Sequence, residues 1–423
     1  MRTRAVVLVA VAALAAVALA VPAASASQST AFTLPAGAPH PEARDGNCGK
    51  LRQNAGRMGG GGDHTATCIR RKSTASTTQK APIPLNADAA SNGTIGMNLA
   101  AVPAFCTNAT AGVWVFDRTR ICRQSQFWLD AFDIVSGRYR GTATIYEMIY
   151  TYTSIDENVW YTQVNLVVTD ILAFEPGAFD GVKFWATFDC VAACWVKQTN
   201  FPPQDVSYGA MITGDASFSA SVVLPQQPAY GVSGVFYHAT PRLPVPDPDP
   251  IWMPFNVRCD IKTSADDELT SEGCVVPMWR PVFYMSESAY PQVVHHIRAA
   301  INSGLPSTLQ RLADRNAARR NGDAACPRSW ERPFLHECDE YPFRSTYQGA
   351  RFERDAGYSG RTHDLAPEPC LITALPTGVT GNRGWSDCWV RAGDNSRAGG
   401  KLGYFYKSNR VIDGEWFDVV LAL

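Results

Sequence analysis

The chain has 423 residues, 38 Lys and Arg against 39 Asp and Glu, and a formal net charge of -1. That balance excludes a globally basic surface for polyanions and a highly charged disordered chain, so any nucleic-acid contact must rest on local arginines. At roughly 100–200 residues per domain, the length predicts two or three domains.

The N-terminus points to export. Arg2 and Arg4 precede an uncharged apolar run from Ala5 to Ala20, followed by Pro22 and the small-x-small site Ala24-Ser25-Ala26. This order predicts a secretory signal peptide over 1–26. The run is shorter than the roughly 20 residues of a bilayer span. No later stretch is apolar for long enough to cross, so the mature form is expected to be secreted, extracellular and free of membrane. All 12 cysteines follow the cleavage site. An even number in an oxidising compartment predicts disulfides, with zinc as the rival that lacks a second spaced pair. Chain neighbours suggest Cys48–Cys68, Cys106–Cys122, Cys190–Cys194 and Cys259–Cys274, with Cys326, Cys338, Cys370 and Cys388 closing among themselves. Sequence alone leaves the connectivity open.

Residues 27–104 read as a low-complexity, loop-rich segment, with Gly59 to Gly62, a Ser/Thr cluster at Ser73 to Thr78 and few aromatic residues. From 105 to 242 the pattern changes to β-branched and aromatic runs: Thr142 to Tyr152, Val159 to Val168, Phe184 to Phe188, Ser217 to Leu224 and Gly231 to His238. Turn signals at Ser136-Gly137, Asp156-Glu157-Asn158 and Gly177 separate them, which predicts a β-sandwich. Its Trp and Tyr residues suit core packing better than a ligand face, and its partner is unknown. Residues 243–283 read as a linker, Pro-rich from Leu243 to Pro254, with a short segment closed by Cys259 and Cys274.

Past Pro291 the period becomes helical. Val294, Ile297, Ile301 and Leu305 recur three or four apart, and Gly304 and Pro306 stop the helix. Leu309 to Arg320 follows as a strand then a helix, or as one helix. Residues 336 to 346 read His-Glu-Cys-Asp-Glu-Tyr-Pro-Phe-Arg-Ser-Thr. If extended, Leu335, Glu337 and Asp339 share one face, and Phe334, His336, Cys338 and Glu340 the other. Carboxylates so concentrated repel one another unless a cation joins them. Further on, Asp394 or Asn395 is a candidate N-cap, and Ala398, Leu402, Phe405 and Tyr406 form one buried stripe. Gly399, Gly400 and Gly403 lower helix propensity and suggest close packing or ligand approach. Trp416 to Leu421 reads as a final strand.

The string Cys-Asp-Glu-Tyr-Pro-Phe with Ser-Thr after it, and the later Asn-x-x-Ala-Gly-x-x-Leu-x-x-Phe-Tyr, resemble the NucA/NucB family of secreted bacterial deoxyribonucleases. The likeness extends upstream to Tyr290-Pro291, His296-Ile297, Ala300-Ile301 and Gly304, and downstream to Arg410-Val411-Ile412-Asp413-Gly414. It covers residues 284–423. The resemblance implies a small α+β domain like the ββα-metal nucleases, joined to the β-rich, sandwich-like N-terminal half. It implies Asp339 as the base that activates water in place of the usual His, and also as a metal ligand. Asn395 becomes a further ligand on the helix, with Glu340 in a supporting catalytic role. The ion is expected to be Mg²⁺ or Mn²⁺ and the substrate DNA. Arg397 and Lys401, near the helix start, are candidates for flanking phosphates. Two positions depart from the family pattern: Arg344 stands where a small residue is expected, and Ser396 where Arg follows the Asn. His336 lies on the strand face opposite Asp339 and reads as structural; His363, near Asp364, reads as loop. The contrasting function is a secreted binding protein with a ligand face on the sandwich and a degenerate nuclease-like domain. A third possibility is a β-rich half that inhibits or targets the nuclease.

Overall fold

The computed structural model describes residues 65–71, 104–133, 135–136, 138–220, 228–240, 251–261, 269, 271–360 and 382–422, all within one compact unit. The signal peptide, His363 and the expected partners Cys48 and Cys370 lie outside them.

The β-rich half is a two-sheet sandwich. Its strands in chain order are β1 (Thr65–Arg71), β2 (Trp114–Phe116), β3 (Arg120–Asp133), β4 (Tyr139–Thr153), β5 (Val159–Ala173), β6 (Lys183–Ala192) and β7 (Cys194–Asn200). They continue with β8 (Gln204–Asp205), β9 (Met211–Ala220), β10 (Ala229–Thr240), β11 (Ile251–Trp252), β12 (Val257–Asp260) and β13 (Gly273–Val275), and the short helix α1 spans Ala104–Thr107. One sheet runs β1-β3-β4-β5-β9-β7 with β2 beside β3; the other runs β13-β12-β10-β6-β8 with β11 beside β10. Alternate residues of each strand point inward, as the pleat requires. Phe127, Leu129, Ile145, Val164 and Ile212 of the first sheet thus meet Phe184, Val235 and Tyr237 of the second in one core.

Two stretches differ from the sequence reading. Thr65–Arg71, inside the segment read as loop-rich, is an edge strand in register with β3. Its Thr-Ala-Thr-Cys-Ile run has β propensity that the surrounding Gly and Ser/Thr conceal. Residues 243–283 are read as a Pro-rich linker and a short disulfide-closed segment; β11, β12 and β13 within them join the second sheet, and the disulfide closure is present. Within them Cys259 and Cys274 are cross-strand partners and disulfide-bonded. Cys106–Cys122, Cys190–Cys194 and Cys326–Cys338 are bonded as well.

The C-terminal third is a smaller α+β unit with its own core. It comprises β14 (Val282–Ser286), α2 (Pro291–Asn302), β15 (Thr308–Gln310), α3 (Arg315–Ala325), β16 (His336–Tyr341), α4 (Ala350–Asp355), β17 (Ser386–Arg391), α5 (Ala392–Ser408) and β18 (Trp416–Ala422). Strand β18 lies between β14 and β15, and β16 pairs antiparallel with β17. Phe283, Val294, Ile297, Phe405 and Phe417 anchor the core. Leu309 to Arg320 resolves into strand then helix because Asp314 caps α3, accepting from Asn316 N–H at 2.8 Å and Ala317 N–H at 2.9 Å.

A buried ionic cluster joins the two halves. Glu415 accepts from Arg118 Nη1 at 2.6 Å and from Arg258 Nη1 at 2.9 Å. Arg410 donates through Nε to Asp260 Oδ1 at 2.9 Å and through Nη1 to Ile155 O at 2.7 Å. Arg118 and Arg258 also donate to the Arg410 carbonyl, at 3.0 and 2.5 Å. Among the described residues, no helix is long and apolar enough to cross a membrane.

Candidate active site

Strand β17 runs into α5 without a loop, so β16, β17 and α5 form a continuous strand–strand–helix arrangement. Ala392 N–H donates to Leu335 O at 2.9 Å, which fixes the helix start against the beginning of β16. Arg391 therefore stands at the helix cap position, and Asp394 and Asn395 lie inside the first turn rather than capping it. The stripe expected from spacing, Ala398, Leu402, Phe405 and Tyr406, is buried.

The flank of α5 that adjoins this stripe borders a cleft of about 1040 Å³, and Ala398, Leu402 and Tyr406 reach its edge. Asn395, Ser396, Gly399, Gly400 and Gly403 line it from the helix, and Glu337, Cys338, Asp339 and Glu340 from β16. The glycines are not there for tight packing, because a Cβ at Gly399 or Gly400 would meet nothing within 4 Å. They leave the helix flank low and open. The far wall comes from α3 and the loop after it, with Arg319, Arg328 and Arg332, and from Arg344 beyond β16. Arg344 comes within 4.0 Å of Glu340. Among the described residues, Arg319 and Arg332 have no ion pair. The Cys326–Cys338 disulfide ties this basic wall to the carboxylate strand.

Asp339 is held by a residue that the sequence reading treated only as part of a helix. His296, fully buried on α2, places Nδ1 2.6 Å from Asp339 Oδ2 and Nε2 2.7 Å from Ser386 Oγ. Both ring nitrogens are thereby engaged, one by a carboxylate and one by a hydroxyl. The second Asp339 oxygen has no hydrogen bond among the described residues. Asn395 Nδ2 donates to Glu337 Oε2 at 3.1 Å. Glu337 and Asp339 share a strand face about 7 Å apart along the chain, so Asn395 is brought to the face that carries Asp339. Glu340 is on the other face, the cross-strand partner of Asp387 in β17. Burial, and then Asp339 beside it, push Glu340 up to about 7; burial alone pushes Asp387 up to about 7, against a hydrogen bond from Trp385.

Arg397 and Lys401 do not line the cleft. Arg397 Nη2 donates to Asp394 Oδ1 at 2.6 Å and to Ala289 O at 3.2 Å; the Lys401 amine lies 5.6 Å from the Tyr290 ring. An α-helix turns about 200° in two residues, so Arg397, and Lys401 one turn later, occupy the flank opposite Asn395. The arginines that line the cleft are Arg319, Arg328, Arg332 and Arg344. His336 bonds Phe334 O at 2.9 Å, outside the cleft lining.

The donors gathered here are carboxylate and amide oxygens, which suit a hard divalent ion that keeps several waters. Among the described residues, no group of three His, Cys, Asp or Glu forms a ready-made cage, so an ion would be held sparsely, by Asp339 and Asn395 with water. No protein-family model matches the chain, and no curated protein matches it.

Proposed function

We propose that the protein is a secreted, metal-dependent endonuclease that hydrolyses phosphodiester bonds of extracellular DNA without sequence specificity. The observation that carries this reading is the cleft itself. A carboxylate oriented by a buried histidine and an amide-bearing helix flank face a wall of arginines, two of them without ion pairs among the described residues. Phosphodiester hydrolysis needs an activated water and a counter-charge for the phosphate.

In this reading Asp339 accepts the proton of the attacking water through its unengaged oxygen, while His296 fixes the carboxylate plane. Asp339 and Asn395 would hold Mg²⁺ or Mn²⁺, which when bound supplies Lewis-acid stabilisation of the phosphoryl oxygens. Glu337 orients the Asn395 amide. Glu340, which also lines the cleft, would protonate the leaving oxygen. Arg319 and Arg332 neutralise flanking phosphates, and contacts to the backbone carry no sequence information.

The alternative of a secreted binding protein draws on one feature, an aromatic group on the outer face of the second sheet. Trp185 stacks on His238 at 5.3 Å and Phe236 meets Trp252 edge-on at 5.8 Å. Plasmid nicking by the full-length protein with Mg²⁺ or Mn²⁺, with and without chelator, decides between them. Metal-dependent, chelator-sensitive nicking is expected; intact plasmid with every metal, from folded protein, overturns the nuclease reading.

A further inference from the structure

Between Arg332 on the cleft wall and the start of β16 lies the turn Pro333–His336. Its tip is apolar and faces water: Phe334 is 87% exposed and Leu335 is 67% exposed. Leu335 has φ 62, a left-handed conformation that branched side chains rarely adopt and that persists only where the surroundings enforce it.

The surroundings do enforce it. His336 N–H donates to Pro333 O at 3.1 Å, His336 Nδ1 bonds Phe334 O at 2.9 Å, and Ala392 N–H donates to Leu335 O at 2.9 Å. Three successive carbonyls are therefore bound, the last by the first residue of the Asn395-bearing helix. The turn is fixed to the two elements that carry Asp339 and Asn395, and it presents a phenyl ring and an isobutyl group to solvent. A single exposed apolar side chain needs no explanation. Two adjacent ones on a strained, anchored turn, next to an arginine with no ion pair among the described residues, indicate a contact surface.

We propose that Phe334 and Leu335 form a wedge that stacks on, or inserts between, the bases of a polynucleotide whose phosphates lie on Arg319 and Arg332. The proposal takes its ligand from the nuclease reading and narrows the substrate to DNA whose bases can leave the stack. Such DNA includes single strands and the flexible pyrimidine–purine steps of duplexes. Stacking on an aromatic ring tolerates any base, which fits cleavage without sequence preference. The charge arrangement favours this occupant, since an arginine flanks the apolar tip where a phosphate would flank each base.

The test is fluorescence anisotropy of a fluorescein-labelled oligodeoxythymidylate with the full-length protein in EDTA, where metal-dependent cleavage is silent. Phe334→Ala is expected to weaken binding about tenfold at every salt concentration, and Phe334→Trp to restore it. Arg332→Ala is expected to reduce the slope of log affinity against log salt by about 0.7, a slope that Phe334→Ala leaves unchanged. Thermal melts of all three variants should overlay the parent protein, because both side chains project from the fold. Equal affinity of Phe334→Ala and the parent, or no binding by the parent, overturns the wedge. Loss of binding to phosphatidylglycerol vesicles in Phe334→Ala, with DNA affinity intact, overturns it in favour of a membrane contact. Intact plasmid alongside a tenfold binding defect removes the nuclease reading and keeps the wedge; normal binding by Phe334→Ala alongside active nicking does the reverse.

Discussion

His296 and Asp339 are joined through Nδ1 and Oδ2 at 2.6 Å, and Ser386 closes the other side of the imidazole at 2.7 Å. In the nuclease reading the histidine positions the base without touching the substrate. Loss of such an orienting partner typically lowers activity about 10–100-fold. His296→Ala is expected to lower kcat by that factor with little change in KM for DNA, and His296→Asn, which retains a donor, to recover part of the loss. Steady-state nicking rates per folded molecule, with folding checked by circular dichroism, separate this from a packing role. A purely structural histidine would lower the folded fraction and leave kcat per folded molecule unchanged.

The Glu340–Asp387 pair makes stability depend on pH in a definite direction. Both carboxyls are pushed up to about 7, by burial first and, for Glu340, by Asp339 next. The ordinary value for Asp is about 3.9. A group whose pKa is higher in the folded state contributes stability that is complete below its unfolded value and disappears as pH rises through its folded value. In chelator, the melting temperature should therefore carry a downward limb between about pH 4 and pH 7 from this pair. Asp387→Asn is expected to shrink that limb and to raise the melting temperature at pH 8. Thermal melts across pH measure it, and an Asp387→Asn variant with the parent's full slope would show that Asp387 titrates normally.

Glu415 titrates in the opposite sense. Burial alone would raise its carboxyl, but Arg118 and Arg258 outweigh burial and hold it below the usual range. Its stabilisation is present above the unfolded glutamate value of about 4.3 and is lost as pH falls through the depressed folded value. Glu415→Gln removes the charge between two nearly inaccessible guanidiniums and is expected to cost about 3–5 kcal/mol at pH 7. Urea titration at neutral pH gives the number, and the variant should also lack the acid-side decline.

Much of the architecture is readable from local pattern. Thr142 to Tyr152 and Val159 to Val168 carry enough β-branched and aromatic residues to identify β4 and β5, and the spacing of Val294, Ile297 and Ile301 identifies α2. What local pattern conceals is pairing at a distance. Strand β16 is six residues, mostly charged or polar, and its partner begins at Ser386, past α4. Its strand character comes from that partner and not from its own propensity. His296 occupies an inward position of an amphipathic helix, where a core histidine and an orienting histidine look alike. Helical periodicity sets Arg397 and Lys401 on the flank opposite Asn395, and neither lines the cleft. Of the arginines in the cleft, Arg319, Arg328 and Arg332 come from α3 and the loop after it, whose proximity to β16 depends on the fold and on the Cys326–Cys338 bond.

The guanidinium–carboxylate cluster between the halves also governs what happens when the chain is cut. A protease that severs the peptide between Val276 and Val282 would leave a nicked molecule whose pieces stay associated. Expression of the last third by itself would instead strip Arg410 of Asp260, and Glu415 of Arg118 and Arg258, and expose to water a surface built to be dry. Inactivity of such a fragment would then report the missing floor beneath its final strand and helix. The sandwich, in this sense, supplies the charges that keep Arg410 and Glu415 balanced.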